Sequence, residues 1–323
     1  MHPAWYQGHR RKPPYFEGWY YKLVDRTEQH RCAVIPGVFR GVDERESHAF
    51  VQVLDGMTGQ ATYQPYSVSD FWASDTTLDL RVGPNRFTET ALHLSIDAPE
   101  LTLAGDLSFQ DTVPWPVSLI SPGIMGWYAW VPLMECYHGV VSLDHAIRGT
   151  LVVTGQEIDF SAGRGYIEKD WGRSFPSAWV WMQSNHFQEE GTSFTASVAI
   201  IPWLRSSFRG FIIGLWHAGR LYRFATYTGA RIEELAVTDE HVHWVVSDRR
   251  LRLEIDAGRS EAGLLRGPTG VDMGMRVPET LNASMSVRLR ELGEGATAPL
   301  FEGIGRNGGL EVAGELQRLL AAS

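Results

Sequence analysis

The residues best placed to do chemistry lie between Gly165 and Phe187, where G-Y-I-E-K-D-W-G-R-S-F-P-S-A-W-V-W-M-Q-S-N-H-F sets charges among aromatics and turn residues. Read as a strand, its first part places Tyr166, Glu168 and Asp170 on one face and Ile167, Lys169 and Trp171 on the other. Side chains two residues apart on a strand are roughly 6 to 7 Å apart. Two carboxylates at that spacing discourage each other's ionisation wherever water is excluded, and one could stay a neutral acid. The plainer alternative is a solvated charge run on a turn leading to Gly172. Environment decides between them, because a carboxyl group among Trp and Phe loses hydration and holds its proton closer to neutral pH. Glu17 and Glu135 have aromatic company too, although Glu17 reads equally well as a strand-entry carboxylate paired with Lys22 or an Arg. His138 and His186 could act as acid, base or orienting partner, against the usual role of a hydrogen-bonding histidine on a strand.

Other chemistries find little support. There is no phosphate loop, no dinucleotide glycine fingerprint after a strand, no H-E-x-x-H and no G-x-S-x-G, which argues against nicotinamide enzymes, kinases and serine hydrolases built on those motifs. Glu135, Cys136 and His138 are close in sequence, but alternation turns Cys136 and His138 one way and Glu135 the other. No metal site is expected there. His241 and His243 would share a strand face and read as a half-exposed surface pair.

The elements that must position these residues are strands. Short β-branched or alternating runs bounded by Gly, Pro, Asp or Asn recur along the chain, and helical periodicity is confined to Gly314–Leu320, where Leu316, Leu319 and Leu320 predict a short helix. The expected fold is all-β: two tandem lipocalin-like antiparallel β-barrels with long aromatic loops, residues 1–172 forming the first and 173–323 the second. The 323 residues suffice for two cores without metal or disulfide. F-E-G-W-Y-Y-K (Phe16 to Lys22) and F-P-S-A-W-V-W-M-Q (Phe175 to Gln183) are similar enough for each to open a barrel. Two loops stand out. Asp111 to Pro132 carries Trp115, Trp127, Tyr128 and Trp130 among prolines and glycines and suits a lid, a plug or a membrane-docking surface. Leu264 to Asn282 carries Met273, Met275, Arg276 and Glu279 and would border a site.

Partners follow from composition. A net charge of -9 argues against nucleic acid, and twelve Trp, eleven Tyr and fourteen Phe suit an apolar small-molecule ligand as well as a core. The longest apolar run, Val198 to Leu204, is of strand length and interrupted by Pro202, so no membrane span is expected. The amino terminus has a basic cluster, His9 to Lys12, without the apolar run of a secretory signal, and Cys32 and Cys136 fit reduced thiols in a cytoplasmic protein. Oligomeric state is left open.

The pair F-E-G-W-Y-Y-K and E-K-D-W-G-x-x-F-P-x-x-W-x-W-x-Q-x-N (Glu168 to Asn185) resembles the signature of the tocopherol cyclase family, itself similar to paired lipocalin-like proteins that include carotenoid hydratases. The matching positions are Phe16, Glu17, Gly18, Trp19 and Tyr20, then Glu168, Lys169, Trp171, Gly172, Phe175, Pro176, Trp179, Trp181, Gln183 and Asn185. The resemblance implies a cyclase or related isomerase or hydratase that uses no cofactor: an acid protonates an alkene of a prenyl tail and a phenol oxygen captures the cation. Asp170 departs from the plant pattern, which has Asn there. That shifts the expected proton donor to Glu168, with Asp170, His138 and Glu17 as further catalytic candidates. The expected substrate-lining set is Trp19, Tyr20, Tyr166, Trp127, Trp130, Trp179, Trp181, Gln183, Asn185, His186 and Met273. No plastid transit extension is read at the amino terminus, so the plant substrate and setting are not assumed, and a lipocalin-type carrier with no chemistry is the alternative.

Overall fold

The computed structural model describes residues 2–132, 134–203, 206–293 and 298–321. Among them, twelve strands build a first antiparallel sheet: β1 (Tyr15–Val24), β2 (Arg31–Arg40), β3 (His48–Asp55), β4 (Ala61–Tyr66), β5 (Phe71–Ala73), β6 (Asp79–Val82), β7 (Asn85–Thr88), β8 (Ala91–Ala98), β9 (Leu101–Gln110), β10 (Cys136–Val153), β11 (Gln156–Asp159) and β12 (Arg164–Gly172). Ten more build a second: β13 (Ala178–Ser184), β14 (Ser193–Trp203), β15 (Ser206–His217), β16 (Arg220–Ala225), β17 (Arg231–Val237), β18 (His241–Ser247), β19 (Leu251–Gly258), β20 (Gly263–Gly267), β21 (Met275–Glu291) and β22 (Phe301–Gly314). In each sheet the opening strand pairs with the last long one, β1 with β12 and β13 with β22. The two similar aromatic stretches therefore do open their sheets.

Each sheet curls around its own core. Val51 of β3, Leu80 of β6, Leu94 of β8, Ile147 of β10 and Ile167 of β12 come from strands far apart in the order, yet they meet in one buried cluster. Phe194, Ile213, Phe224, Trp244, Leu253, Val287 and Leu310 do the same in the second sheet. A flat sheet could not bring such strands together, so the fold is all-β in the lipocalin-like manner. Strands away from the closure follow the amphipathic rule: in β8, Leu92, Leu94 and Ile96 are buried while His93, Ser95 and Asp97 are exposed. At the closure the rule lapses. β12 and β13 are buried on both faces almost throughout, which marks them as carrying something besides the barrel core.

By backbone proximity the chain divides into one unit of Met1–Phe175 with Gly263–Val277 and another of Pro176–Ala262 with Pro278–Ser323. The segment from Gly263 to Val277, expected with the second half, thus groups with the first. The stretch read as a second long loop is also largely strand, since β20 opens it and β21 takes Met275, Arg276 and Glu279. Its Gly and Pro content hid an alternation that tertiary pairing enforces. Strand β4 escapes sequence reading for a related reason: Pro65 interrupts the run, and the sheet tolerates it because β4 lies at an edge. The tail helix is α1 (Leu316–Ala321); Gly314 ends β22 instead of starting it. Leu204 lies outside the described residues. Among those described, no helix is long and apolar enough to cross a membrane, and Cys32 and Cys136 are free thiols.

Candidate functional site

Three neighbouring strands assemble the site. In register, Tyr20 of β1 and Val140 of β10 flank Glu168, Gly18 and His138 flank Asp170, and Phe16 and Cys136 flank Gly172. Alternation then sends Tyr166, Glu168 and Asp170 to one face, as the sequence predicts, and His138 from the next strand joins them. The His138 ring lies between the carboxylates: its Nδ1 is 2.9 Å from Asp170 Oδ1 and its Nε2 is 3.5 Å from Glu168 Oε2. Tyr166 donates its hydroxyl to Glu168 Oε2 at 2.5 Å. Tyr166 and Glu168 are buried, while the Asp170 side chain keeps 29% of its exposure. The result is a row of titratable groups most open to solvent at Asp170.

Electrostatics sets its protonation. Burial pulls the His138 imidazolium down, but the Glu168 charge, the Asp170 charge and the Asp170 hydrogen bond together outweigh it and raise its pKa to about 9. The imidazole therefore carries a proton near neutral pH. The three groups could also be considered as metal ligands, since their donor atoms lie within 4.8 Å of one another. The ring, however, points one nitrogen at each carboxylate, whereas a bound ion would need one nitrogen and both carboxylates converging on a single point. Glu135 directly precedes β10 and accepts from Ser174 Oγ at 2.8 Å. His243 sits 3.0 Å from Asp256 and 3.6 Å from Glu234 in a surface ion-pair group, with His241 exposed two residues before it.

The opposite face of the same strands holds the rest of the signature. Lys169 is fully buried and ion-paired with Glu17, which is equally buried. Its ammonium lies 4.9 Å from the Trp19 ring and 4.8 Å from the Trp171 ring and donates to Trp5 O at 2.6 Å. Glu17 also accepts from the Tyr15 hydroxyl and from Gln7 N. Burial lowers the Lys169 pKa, and Glu17 opposes the shift. Glu17 is thus separated from the acid cluster by the thickness of the sheet, and Trp19 is a core residue beside Lys169. Neither had been distinguishable from Glu168 or Tyr20 as a site residue by sequence, because a one-residue offset decides the face. The closing Gly172 is also explained here. It has φ 156°, and a Cβ built on it would lie 2.2 Å from Glu135 O, so only glycine lets β10 and β12 meet at this end.

A model of the tocopherol cyclase-like family matches residues 106–314, nearly two-thirds of the chain, including the acid cluster and the whole of Gly165 to Phe187. The chain belongs to the tocopherol cyclase-like family. It is 29% identical over 153 residues to a probable chloroplastic tocopherol cyclase of Oryza sativa subsp. japonica, a match covering 45% of this chain and 32% of that one. The match thus spans about a third of the length of the plant relative. Among solved structures, CghA with Sch210972 has a TM-score of 0.54 at 12% identity, covering 94% of this chain and 89% of that one. Kievitone hydratase from Nectria haematococca has a TM-score of 0.51 at 12% identity, covering 92% and 89%. At such identities the likeness establishes the shared fold.

Other positions of the tocopherol cyclase-like signature divide the same way. In the second unit, Ala178, Val180 and Met182 of β13 face the core, and Trp179, Trp181 and Gln183 face away. Trp179 donates to Glu311 Oε2 at 2.6 Å, and Glu311 stands opposite Glu279 in the β21–β22 register. This pair of carboxylates is missed by sequence reading, because Glu311 sits in an unremarkable G-G-L-E-V-A run and only the register brings Glu279 beside it. Asn185 and His186 follow β13, with Asn185 Oδ1 3.1 Å from His186 Nδ1. In the first unit, Met273 joins Phe16, Phe39 and Phe50 in an apolar cluster that Cys136 and Phe175 also contact. Cys136 Sγ is 4.0 Å from Asp170 Oδ1, so this cluster borders the acid group. Trp127 and Trp130 are each 49% exposed. Met125, on the same loop, accepts the His138 backbone N–H through its sulfur at 3.1 Å.

Proposed function

We propose that this protein is a cofactor-independent acid catalyst that isomerises an apolar prenylated phenol by closing a ring. The observation that carries the reading is the row of titratable groups Tyr166, Glu168, His138 and Asp170, buried at the Glu168 end and bordered by an apolar cluster. The proton held on the His138 imidazolium passes to Glu168, which delivers it to one carbon of the prenyl alkene; a C–H bond forms, the π bond breaks and a tertiary cation results. The phenol oxygen attacks the cation, the new C–O bond closes the ring, and the phenolic proton returns to the Glu168 carboxylate. His138 keeps Glu168 supplied with a proton, and Asp170 holds the imidazole in place and balances its charge. If water replaces the phenol oxygen, the same acid performs a hydration, in keeping with the hydratase among the structural neighbours. The tocopherol cyclases among the relatives support a prenylated hydroquinone as the first substrate class to try. Incubating the protein with prenylated hydroquinones is expected to yield a product of unchanged mass and altered chromatographic retention.

A second reading, a carrier without chemistry, has one observation in its favour. A cavity of about 410 Å³ opens at the far end of the first sheet, near the β1–β2 turn, with Cys32, Val53, Leu103, Ile158 and Phe160 in its wall. Recovery of the intact hydroquinone, bound and unchanged, would favour that reading over the cyclase.

The pH dependence follows from His138. Its folded pKa of about 9 exceeds the ordinary 6.5, so its contribution to stability is complete below 6.5 and disappears as pH rises through 9. Turnover should therefore hold across neutral pH and fall as His138 loses its proton near 9. The His138→Gln variant should lack this limb, and a wild-type rate unchanged to pH 10 would remove His138 from the proton supply.

A further inference from the structure

We infer that the loop between Asp111 and Glu135 is a membrane-docking wedge for bilayers containing anionic lipid; this rests on surface chemistry alone and is independent of the cyclase reading. The 23 residues between these two acids contain no Asp, Glu, Lys, Arg or His, in a chain where 21% of residues are charged. Their apolar side chains are not all spent on a core. An antiparallel bridge between Val117 and Pro122 makes a tight tip, and at that tip Leu119 is 89% exposed and Ile120 82% exposed. Trp130 stands behind them, half-exposed, donating its indole N–H to Leu119 O at 2.9 Å, with Trp127 exposed three residues earlier. Adjacent exposed aliphatics at a tip backed by tryptophans are what the boundary between lipid headgroups and acyl chains accommodates, since indole places an apolar ring and an N–H donor there together. Isolated exposed apolar residues are ordinary, but five on one uncharged loop, Val117 among them, form a patch.

Charge selects the lipid. The cluster His9, Arg10, Arg11 and Lys12 has no part in the acid site, and Arg10 and Lys12 are exposed. Its arm is tied to the foot of the loop at two points: Pro3 packs against Gly123, and Arg11 lies 5.9 Å over the Tyr137 ring, whose hydroxyl donates to Val131 O at 2.7 Å. An uncharged apolar tip on a loop whose foot adjoins a basic arm, on a protein of net charge -9, suits a surface that takes the tip into its interior and pairs the cations with anionic headgroups. A protein partner needs no such separation of uncharged tip and basic foot. The sulfur contact from Met125 to the His138 backbone places the wedge one hydrogen bond from the acid cluster.

The test is co-sedimentation of the purified full chain with vesicles of phosphatidylcholine alone and of phosphatidylcholine with one quarter phosphatidylglycerol. The expected result is pelleting with the mixed vesicles, weaker pelleting with neutral ones, and partial loss in high salt. Leu119→Asp with Ile120→Asp should weaken partitioning at least about tenfold, the loss of two inserted side chains, with an unchanged melting temperature because both residues are exposed. Replacing Arg10 and Lys12 with Gln should reduce binding to the mixed vesicles and leave the neutral ones unaffected. No pelleting above background, or equal pelleting of the Leu119/Ile120 variant, overturns the proposal. Self-association of the wild type that the tip variant abolishes, without vesicle binding, would also overturn it and assign the patch to a protein interface.

Discussion

Replacing Glu168 with Gln is expected to lower turnover of a prenylated hydroquinone by on the order of a hundred- to ten-thousand-fold, the usual contribution of a positioned general acid, while ligand binding and melting temperature stay near wild type. Gln keeps the shape and can still accept from the Tyr166 hydroxyl, which lies 2.5 Å from Glu168 Oε2. What it lacks is a proton to give. Because His138 spans Glu168 and Asp170, the substitution also removes one of the charges that keep the imidazole protonated, so the high-pH limb should move downward in whatever activity remains. A Glu168→Gln enzyme with wild-type turnover would exclude Glu168 as the acid. Asp170→Asn provides the contrast: the amide oxygen still accepts from Nδ1, so the expected loss is smaller and appears as a shift of the pH profile. The comparison is informative because Asn is what the family resemblance leads one to expect at that position.

Lys169→Met is expected to destabilise the first unit by about 3–5 kcal/mol, the cost of leaving the partner of a broken buried ion pair uncompensated. Both groups are fully buried, so Glu17 would retain only the Tyr15 hydroxyl and Gln7 N–H for its charge. The ammonium also fills the space between two indoles, and Met restores bulk there without the cation–π attraction. Adding Glu17→Leu to Lys169→Met should recover much of the loss, since exchanging both ions for apolar groups is often nearly neutral. Urea unfolding followed by tryptophan fluorescence measures both. An unchanged midpoint in the single variant would mean that the pair does not hold the barrel end. Activity separates the roles: the Lys169 variant should lose turnover only in proportion to its unfolded fraction, unlike the Glu168 variant.

The two predictions concern adjacent residues with unrelated duties, and that contrast defines how far sequence reading reaches here. A pleated strand must send neighbours to opposite faces, so the division of Tyr166, Glu168 and Asp170 from Lys169 and Trp171 follows from local geometry once a strand is recognised. The all-β class was legible for the same reason, through alternation in runs such as A-L-H-L-S-I-D-A, and so were the opening strands of the two sheets, through their repeated aromatics. Where local chemistry opposed pairing, reading failed: Pro65 concealed an edge strand, and the Gly and Pro content before Met275 concealed the start of β21.

Partners across strands were not legible, because register is a tertiary quantity. Nothing near Glu17 in sequence announces Lys169, 152 positions away, and Lys22 or an arginine was the nearer expectation. His138 reaches Glu168 only because β10 lies beside β12 in a register that sets it opposite Asp170. The sequence by itself determined the fold class, the family and which signature residues share a face, since these depend on period-two geometry and residue order. Only the tertiary structure decided which face holds the barrel core, which carboxylate is locked to Lys169 and which lies beside His138. Those outcomes depend on strand register and burial, through which the same carboxyl chemistry becomes a buried structural ion pair at Glu17 and a candidate proton donor at Glu168.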